Sequence, residues 1–431
     1  MKKSLMALAA LAACSNVAQA DVGFSKEGFS VSVYGILDIG VGYLEHSYAG
    51  SDVFASTVNS YNLNSSPNSF TGLYSGGISM SRVGVKGEAD LGNDIKAFFR
   101  VESAVDVNTG LISNNGQSLY NDLKGLKTAN GASAIDGQWY SRAAYVGLSA
   151  KPYGSVSFGR NTNFSLDQVA QYDPVQAALL FSPLGFSGGI GGGLGATENT
   201  RLDNSIRYEN AVGPVDFGLE YKFAGSKSTQ AAESGYVAML AYNNGPVSLK
   251  GTYSQTTNTV AWATQYSNVV APDSNLQIEN TRGFMVTGLD KVTDAATVKI
   301  GYEYSTISAP TDPYLTGIET YYGLTLPNPA VNASSSQNFQ TWWVGGDYKI
   351  TKAFDLALGY FNINTDNSPE VKKDYRAQAV SLLADYTLDK EFDTYVGVMY
   401  MDYSGVGLEK KAPAIAYSSN LMYGIGLRFK F

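Results

Sequence analysis

Leu421-Met-Tyr-Gly-Ile-Gly-Leu-Arg-Phe-Lys-Phe431 alternates apolar residues with small or cationic ones. Taken with a period of two, Leu421, Tyr423, Ile425, Leu427, Phe429 and Phe431 share one face, and Met422, Gly424, Gly426, Arg428 and Lys430 share the other. Alternate side chains of a strand point to opposite faces, so one face is continuously apolar and the other small or cationic. About 9–11 such residues are what a tilted strand needs to cross a bilayer. A lone strand would leave its backbone groups unsatisfied in lipid, so it must belong to a closed barrel. The edge strand of a soluble sandwich also fits this segment alone, and the rest of the chain decides between the two.

The same alternation recurs upstream. Val31, Val33, Gly35, Leu37, Ile39, Val41 and Tyr43 oppose Ser32, Asp38, Gly40 and Gly42. Val83, Val85, Ala89 and Leu91 oppose Arg82, Lys86, Glu88 and Asp90, and Ile95, Ala97, Phe99 and Val101 oppose Lys96, Arg100 and Glu102. Phe217, Leu219 and Tyr221 oppose Gly218, Glu220 and Lys222, and Trp342, Val344 and Tyr348 oppose Trp343, Gly345 and Asp347. The segment Phe392–Tyr403 alternates poorly and its faces are not assigned. Short turns rich in Gly, Pro, Asn and Asp fall at 91–93, 151–154, 211–214, 243–246, 292–294, 350–352 and 388–390. Long polar loops lie between them, at about 46–78, 107–137, 161–200, 225–233, 257–280, 308–337, 363–374 and 404–418. Seven short turns alternating with eight long loops join about sixteen antiparallel strands, an even number with both ends on the short-turn side, as in a transmembrane β-barrel. A charge on a lipid-facing position near the midplane costs about 2–4 kcal/mol, which accounts for the near absence of charge on the apolar faces.

Composition agrees. The 431 residues are 16% charged, well under the roughly 25% of soluble domains, with 46 Gly, 30 Tyr and one His. Beyond the first twenty residues no apolar run reaches the 18 or more of a spanning helix. Residues 1–20 read as an export signal: Lys2 and Lys3, an apolar core Leu5–Ala13, and Ala18-Gln-Ala20 before the cut. Its removal takes away two lysines, so the net charge moves from −8 to −10. The one cysteine, Cys14, lies inside it, and Leu11-Ala-Ala-Cys14 also has the form of a lipoprotein cleavage box. Residues 21–431 then form a single barrel domain. The acidic balance excludes nucleic acid as a partner.

With these strands in place, the chain resembles the general porins of Gram-negative bacteria, most closely the beta-proteobacterial branch. The matching stretches are Val33-Tyr-Gly-Ile-Leu-Asp-Ile-Gly40, Ser81-Arg-Val-Gly-Val-Lys-Gly87, Ser141-Arg-Ala-Ala-Tyr-Val-Gly-Leu148, Gly154-Ser-Val-Ser-Phe-Gly-Arg-Asn161, Asn204-Ser-Ile-Arg-Tyr208 and Gly426-Leu-Arg-Phe-Lys-Phe431. The resemblance implies a homotrimer of sixteen-stranded barrels in outer-membrane lipid, each with a water-filled pore for passive diffusion of ions and small hydrophilic solutes. It also implies handling by periplasmic chaperones and the β-barrel assembly machinery, with Phe431 as the assembly signal. In that family the third long loop, here about 161–200, folds inward and forms a constriction opposite a row of wall arginines. Matched motif by motif, the row falls on Arg82, Arg142 and Arg201. Arg100 joins it by inward parity, and Arg160 closes the Gly-Arg-Asn motif at the loop entrance although it shares parity with Val156 and Phe158. The loop acids are Asp167, Asp173 and Glu198, and the family's Pro-Glu-Phe-Gly-Gly-like element is reduced to Gly185-Phe-Ser-Gly-Gly189. The loop at 107–137 is the implied latch onto a neighbouring subunit. The small outer faces at Gly35, Gly87 and Gly147 fit the implied trimer contact, or alternatively barrel curvature.

Fixed charges of opposite sign across a narrow wet pore set ion selectivity. Four arginines against two or three carboxylates predict a weak anion preference, because salt screens the net charge beyond about 8–10 Å. Each inward arginine can equally be a solvated lumen side chain or a structural partner of Glu88, Glu102 or Asp203. Asp167–Leu180 has the length of a short helix interrupted by Pro174. Gly188–Gly195 lacks the strand before it and helix after it that a phosphate cradle needs. His46 and Glu45, being neighbours, point apart on a strand and make no dyad, and one His without a mature Cys leaves no metal site. Neither an enzyme nor a cofactor is expected. A substrate-specific channel would line its pore with an aromatic track, for which Tyr34 and Trp343 are the inward candidates, and a plugged or structural barrel is the remaining alternative.

Overall fold

A computed structural model describes residues 22–45, 69–108, 110, 112, 129–130, 134–135, 139–184, 201–223, 234–262, 276–308, 320–321, 324–325, 337–366, 375–405 and 419–431. The expected export segment with Cys14, His46, most of the 107–137 latch, Gly185–Gly195 and Glu198 lie outside them. Eighteen strands form one antiparallel sheet. In chain order they are β1 (Val22–Lys26), β2 (Phe29–Leu44), β3 (Phe70–Ser75), β4 (Arg82–Gly92), β5 (Ile95–Ala104), β6 (Ala143–Ala150), β7 (Gly154–Thr162), β8 (Arg201–Val212) and β9 (Val215–Lys222). There follow β10 (Gly235–Asn244), β11 (Val247–Trp262), β12 (Leu276–Lys291), β13 (Ala296–Ser308), β14 (Gln337–Lys349), β15 (Phe354–Asp366), β16 (Tyr375–Thr387), β17 (Phe392–Gly405) and β18 (Ser419–Lys430). One helix, α1 (Phe164–Tyr172), follows β7.

Each strand pairs with the next, except that β3 and β4 both pair with β2, and β18 returns to β2 in a register running from Ile36 opposite Lys430 to Leu44 opposite Met422. The sheet is therefore closed. It has sixteen strand positions, because β3 and β4 share one beside β2 and β1 continues the line of β18 along the start of β2. Backbone bonds between Gly35 and Phe431 complete this closing seam. No helix among the described residues is long and apolar enough to cross a membrane. The spanning surface is the outer face of the strands, where Leu219, Leu240, Ile300, Ile425 and Leu427 are each more than half exposed. So continuous an apolar surface has no place on a soluble monomer.

The β4–β5 turn lies on Asn93–Asp94, both with positive φ, the pairing that matches the twist of a two-residue hairpin. Two strands occupy ground read as non-strand. β1 precedes the first expected alternation, and β3 lies within the expected 46–78 loop. Strands β11 and β12 run into the expected 257–280 loop, since ladder pairing continues above the lipid where no apolar pattern is required. The faces of β17 are now assigned: Phe392, Val396 and Tyr400 are outward and exposed, whereas Asp393, Tyr395, Gly397, Met399 and Met401 are inward and buried. Its weak alternation has a physical cause, for both faces of this strand are apolar. Gly147 lies on the inner face opposite Phe98 rather than on the outer one. Gly35 and Gly87 are on the outer face, but the rings of Phe431 and Phe99 lie over them and fill the space a small outer surface would have offered.

Candidate functional site

The chain after β7 turns into the barrel. Asn163 caps α1 by accepting the Ser165 amide at 2.8 Å. The helix stops at Tyr172, before Asp173 and Pro174, because a residue preceding proline leaves the helical region. It thus begins three residues earlier than the expected 167–180 element, and turns continue to Leu184. Inward-facing side chains hold this segment. Phe164 lies against Gly218, where a Cβ would clash with its ring. Gln168, fully buried, donates to the Lys250 carbonyl at 3.0 Å and to the Thr287 hydroxyl at 2.9 Å. The Trp343 indole N–H donates to the Tyr172 carbonyl at 3.0 Å, and Lys299 Nζ to the Asp173 carbonyl at 3.0 Å. Val169, Val175, Leu180, Phe181 and Leu184 form one apolar cluster with Met285, Trp343, Phe361, Tyr395 and Met399. The inward segment therefore has a core of its own against the inner wall of β12–β17.

The wall of β4–β8 is different. Glu102, 2% exposed, is the centre of a cationic cluster. It accepts from Arg100 Nη2 and Arg142 Nε, both at 2.5 Å, and from the Tyr34 hydroxyl at 2.7 Å, with Arg82 Nε at 4.0 Å. Arg100 Nε also donates to the Tyr34 hydroxyl at 2.6 Å. Arg201, at the start of β8, is within electrostatic reach of Arg142, Arg160, Glu102 and Arg82. Arg160 sits one residue beyond Gly159 (φ +133°), donates through Nε to the Ser141 carbonyl at 2.8 Å and pairs with Asp203. The five expected arginines thus converge on one stretch of wall, three of them directly on Glu102. Glu88 pairs instead with Lys96, at the far end of the β4–β5 hairpin.

The loop acids separate. Asp167 faces the wall at 2.6 Å from Arg207 Nη2. Arg207 was absent from the expected row; it also binds Glu209 at 2.6 Å, donates to the Thr162 carbonyl and lies 4.0 Å over the Phe164 ring. Its signal was legible in the Asn204–Tyr208 motif and in its parity with Ser205. Asp173, expected beside Asp167 at the constriction, is instead fully buried inside the segment. Its carboxylate accepts the Val175 and Ala177 amides at 2.9 and 3.1 Å and the Ser182 hydroxyl, and burial pushes its pKa up to about 6 against those bonds. Tyr34 and Trp343 do face inward, but both are buried, so neither offers an open stacking face. No group of three His, Cys, Asp or Glu side chains among the described residues could hold a metal ion.

Arg207→Gln leaves Asp167 and Glu209 without their shared cation, beside the buried Glu220. The expected loss is about 1.5–3 kcal/mol, the range for hydrogen bonds to charged groups, read as a lower denaturation midpoint of the detergent-folded barrel.

The family description "Gram-negative porin" matches residues 7–406. An outer membrane porin protein of Bordetella pertussis is 31% identical over 270 residues, 59% of this chain and 60% of that protein. Outer membrane porin protein 32 of Delftia acidovorans is 30% identical over 256 residues, 58% of each chain. The matches thus span about three fifths of these curated relatives. Among solved structures, the anion-selective porin from Comamonas acidovorans superimposes with a TM-score of 0.63 at 18% identity, covering 94% of this chain and all of that one. Outer-membrane expressed OmpT of Vibrio cholerae gives 0.60 at 16% identity, over 95% of this chain and all of that one. These last two likenesses concern the fold.

Proposed function

Because the chain belongs to the Gram-negative porin family and is a β-barrel of the outer membrane, we propose that it forms a water-filled channel for passive diffusion of ions and small hydrophilic solutes, with a weak anion preference. The observation that carries this reading is the division of the lumen. The inward segment covers the apolar inner wall of β12–β17. The wall of β4–β8 carries Arg82, Arg100, Arg142, Arg160, Arg201 and Arg207, with Glu102 among the first three; Arg100 is the most open of them, and Arg207 lies under Phe164 and Asp167 of the segment. The path for water then runs between that wall and the segment, and Asp167 meets the wall at Arg207. Fixed positive charge lining a narrow wet passage favours anions. The solved porin named as anion-selective has the same fold.

Residues 1–20 act as a cleaved export signal, and the mature barrel assembles as a homotrimer. Phe431 is the residue read during assembly by the β-barrel machinery, after passage with periplasmic chaperones. Its place on the closing seam, with its ring over Gly35, suits a group that must be in position when the barrel closes.

The test is a planar bilayer under a salt gradient. Stepwise conductance appearing in threes is expected, with a reversal potential of anion-selective sign that moves towards cations in Arg100→Ser, the replacement of a wall arginine whose side chain is 31% exposed. A cation-selective sign in the parent sinks the arginine-wall account. Folded insertion without conductance sinks the diffusion pore and leaves a plugged barrel.

A further inference from the structure

The motif Val33–Gly40 places an inward acid, Asp38, four residues after Tyr34, and the diffusion reading makes no use of it. Asp38 is fully buried. It lies on β2 at the closing seam, in register with Arg428 of β18. Between β3 and β4 the chain leaves the wall over residues 76–81, and this excursion is wrapped around Asp38. The carboxylate accepts three consecutive amides, Gly77, Ile78 and Ser79, at 3.1, 2.9 and 2.7 Å, and also the Tyr395 hydroxyl of β17. The Asp38 carbonyl accepts the Gly76 amide at 2.8 Å, and Arg428 Nη1 donates to the Ser79 hydroxyl at 2.8 Å. The turn so held is what the tip of the inward segment rests on. The Leu180 amide donates to the Gly77 carbonyl at 2.9 Å, Leu179 lies against Gly76, and Phe181 packs edge-on against Tyr395 with ring centroids 6.3 Å apart.

We propose that Asp38 is a positioning residue of the pore: from the closing seam it fixes the 77–79 turn, and through that turn the tip of the inward segment. This rests on the reading that the segment bounds the water path. It ties pore width to barrel closure, since Asp38, Arg428 and Tyr395 come together only when β2 meets β18.

The experiment joins conductance to a readout independent of ion flow. Ala178, 1% exposed in the tip, is replaced by cysteine in a chain carrying Cys14→Ser, and its reaction with a small cationic methanethiosulfonate is timed in the detergent-folded barrel. Adding Asp38→Ala is expected to speed labelling about tenfold, the shift produced by losing one or two net hydrogen bonds from a local opening equilibrium. Single-channel conductance and open-channel noise should rise with it. Asp38→Asn, which keeps one acceptor oxygen, should fall between. Leu180→Pro removes the amide that reaches Gly77 and leaves the seam intact, so it should reproduce the acceleration even where Asp38→Ala fails to fold. Parent labelling rates in folded Asp38→Ala, or in Leu180→Pro, overturn the proposal. Faster labelling at unchanged conductance overturns its role in setting the pore. A parent without any conductance defeats the diffusion reading, while the labelling rates still decide whether Asp38 holds the segment.

Discussion

Replacing Glu102 by glutamine is expected to destabilise the barrel by about 3 kcal/mol. Removing one partner of a buried ion pair costs roughly 3–5 kcal/mol, because the remaining charge stays out of water. Here the remaining charges are three guanidiniums. Arg82 and Arg142 are 13% exposed at the side chain, and Arg100 is 31% exposed. The lower end of the range applies because Arg100 can rehydrate from the lumen. The amide of glutamine still accepts from one donor, but it neutralises none of them. Chemical unfolding in detergent, followed on gels by the shift of heat-modifiable mobility, measures the loss. Glu88→Gln is the control. Its side chain is 44% exposed and paired with Lys96, an exposed pair worth about 0–1 kcal/mol. If the two variants unfold together, Glu102 is not the counterion of the wall. In the folded fraction of Glu102→Gln the reversal potential should move further towards anions, since the wall loses a negative charge and keeps its arginines.

Trp343→Ala should release the inward segment while leaving the barrel closed. The indole is fully buried, and its N–H is the donor to the Tyr172 carbonyl at the end of α1. Its ring also fills the space over Gly301, which leaves no room there for a Cβ. Emptying such a site costs about 3–5 kcal/mol for a large aromatic. That loss falls on the segment, because the β13–β14 and β14–β15 ladders are backbone bonds that the side chain does not make. The expected signature is higher single-channel conductance with greater open-channel noise, at a global unfolding midpoint lowered much less than the segment's own stability. Trp343→Phe keeps most of the ring and loses only the indole bond, so its effect should be about 1 kcal/mol. Equal conductance in Trp343→Ala and the parent would mean that the segment is held elsewhere.

The barrel was legible because lipid imposes a rule on every spanning residue. Along Leu421–Phe431 the alternation read from residue types is the alternation of exposure in the folded strand, position by position. The same rule failed at Phe392–Tyr403, where the inner face meets Phe181 rather than water, so Tyr395, Met399 and Met401 are as apolar as the outer face. β1 and β3 escaped for a related reason: strands that extend a seam or share a position need no full apolar stripe.

The wall arginines were found through motifs and parity, and Arg82, Arg100 and Arg142 do meet around one acid. Residue type could not say which acid. Glu88 and Glu102 share inward parity on neighbouring strands, and only the register, with Glu102 opposite Gly84 and Ala143, brings one of them to the cluster. Nor could it tell Asp167 from Asp173, six residues apart in one loop; one reaches Arg207 and the other turns back to Val175 and Ala177. Sequence by itself determined the closed barrel, its strand number and the charged wall, because a period of two against lipid is a local constraint repeated sixteen times. Tertiary structure alone decided which carboxylates face the water, what holds the inward segment and where its tip is tied, because those contacts join residues 38, 77, 180 and 395, whose meeting depends on closure of the ring.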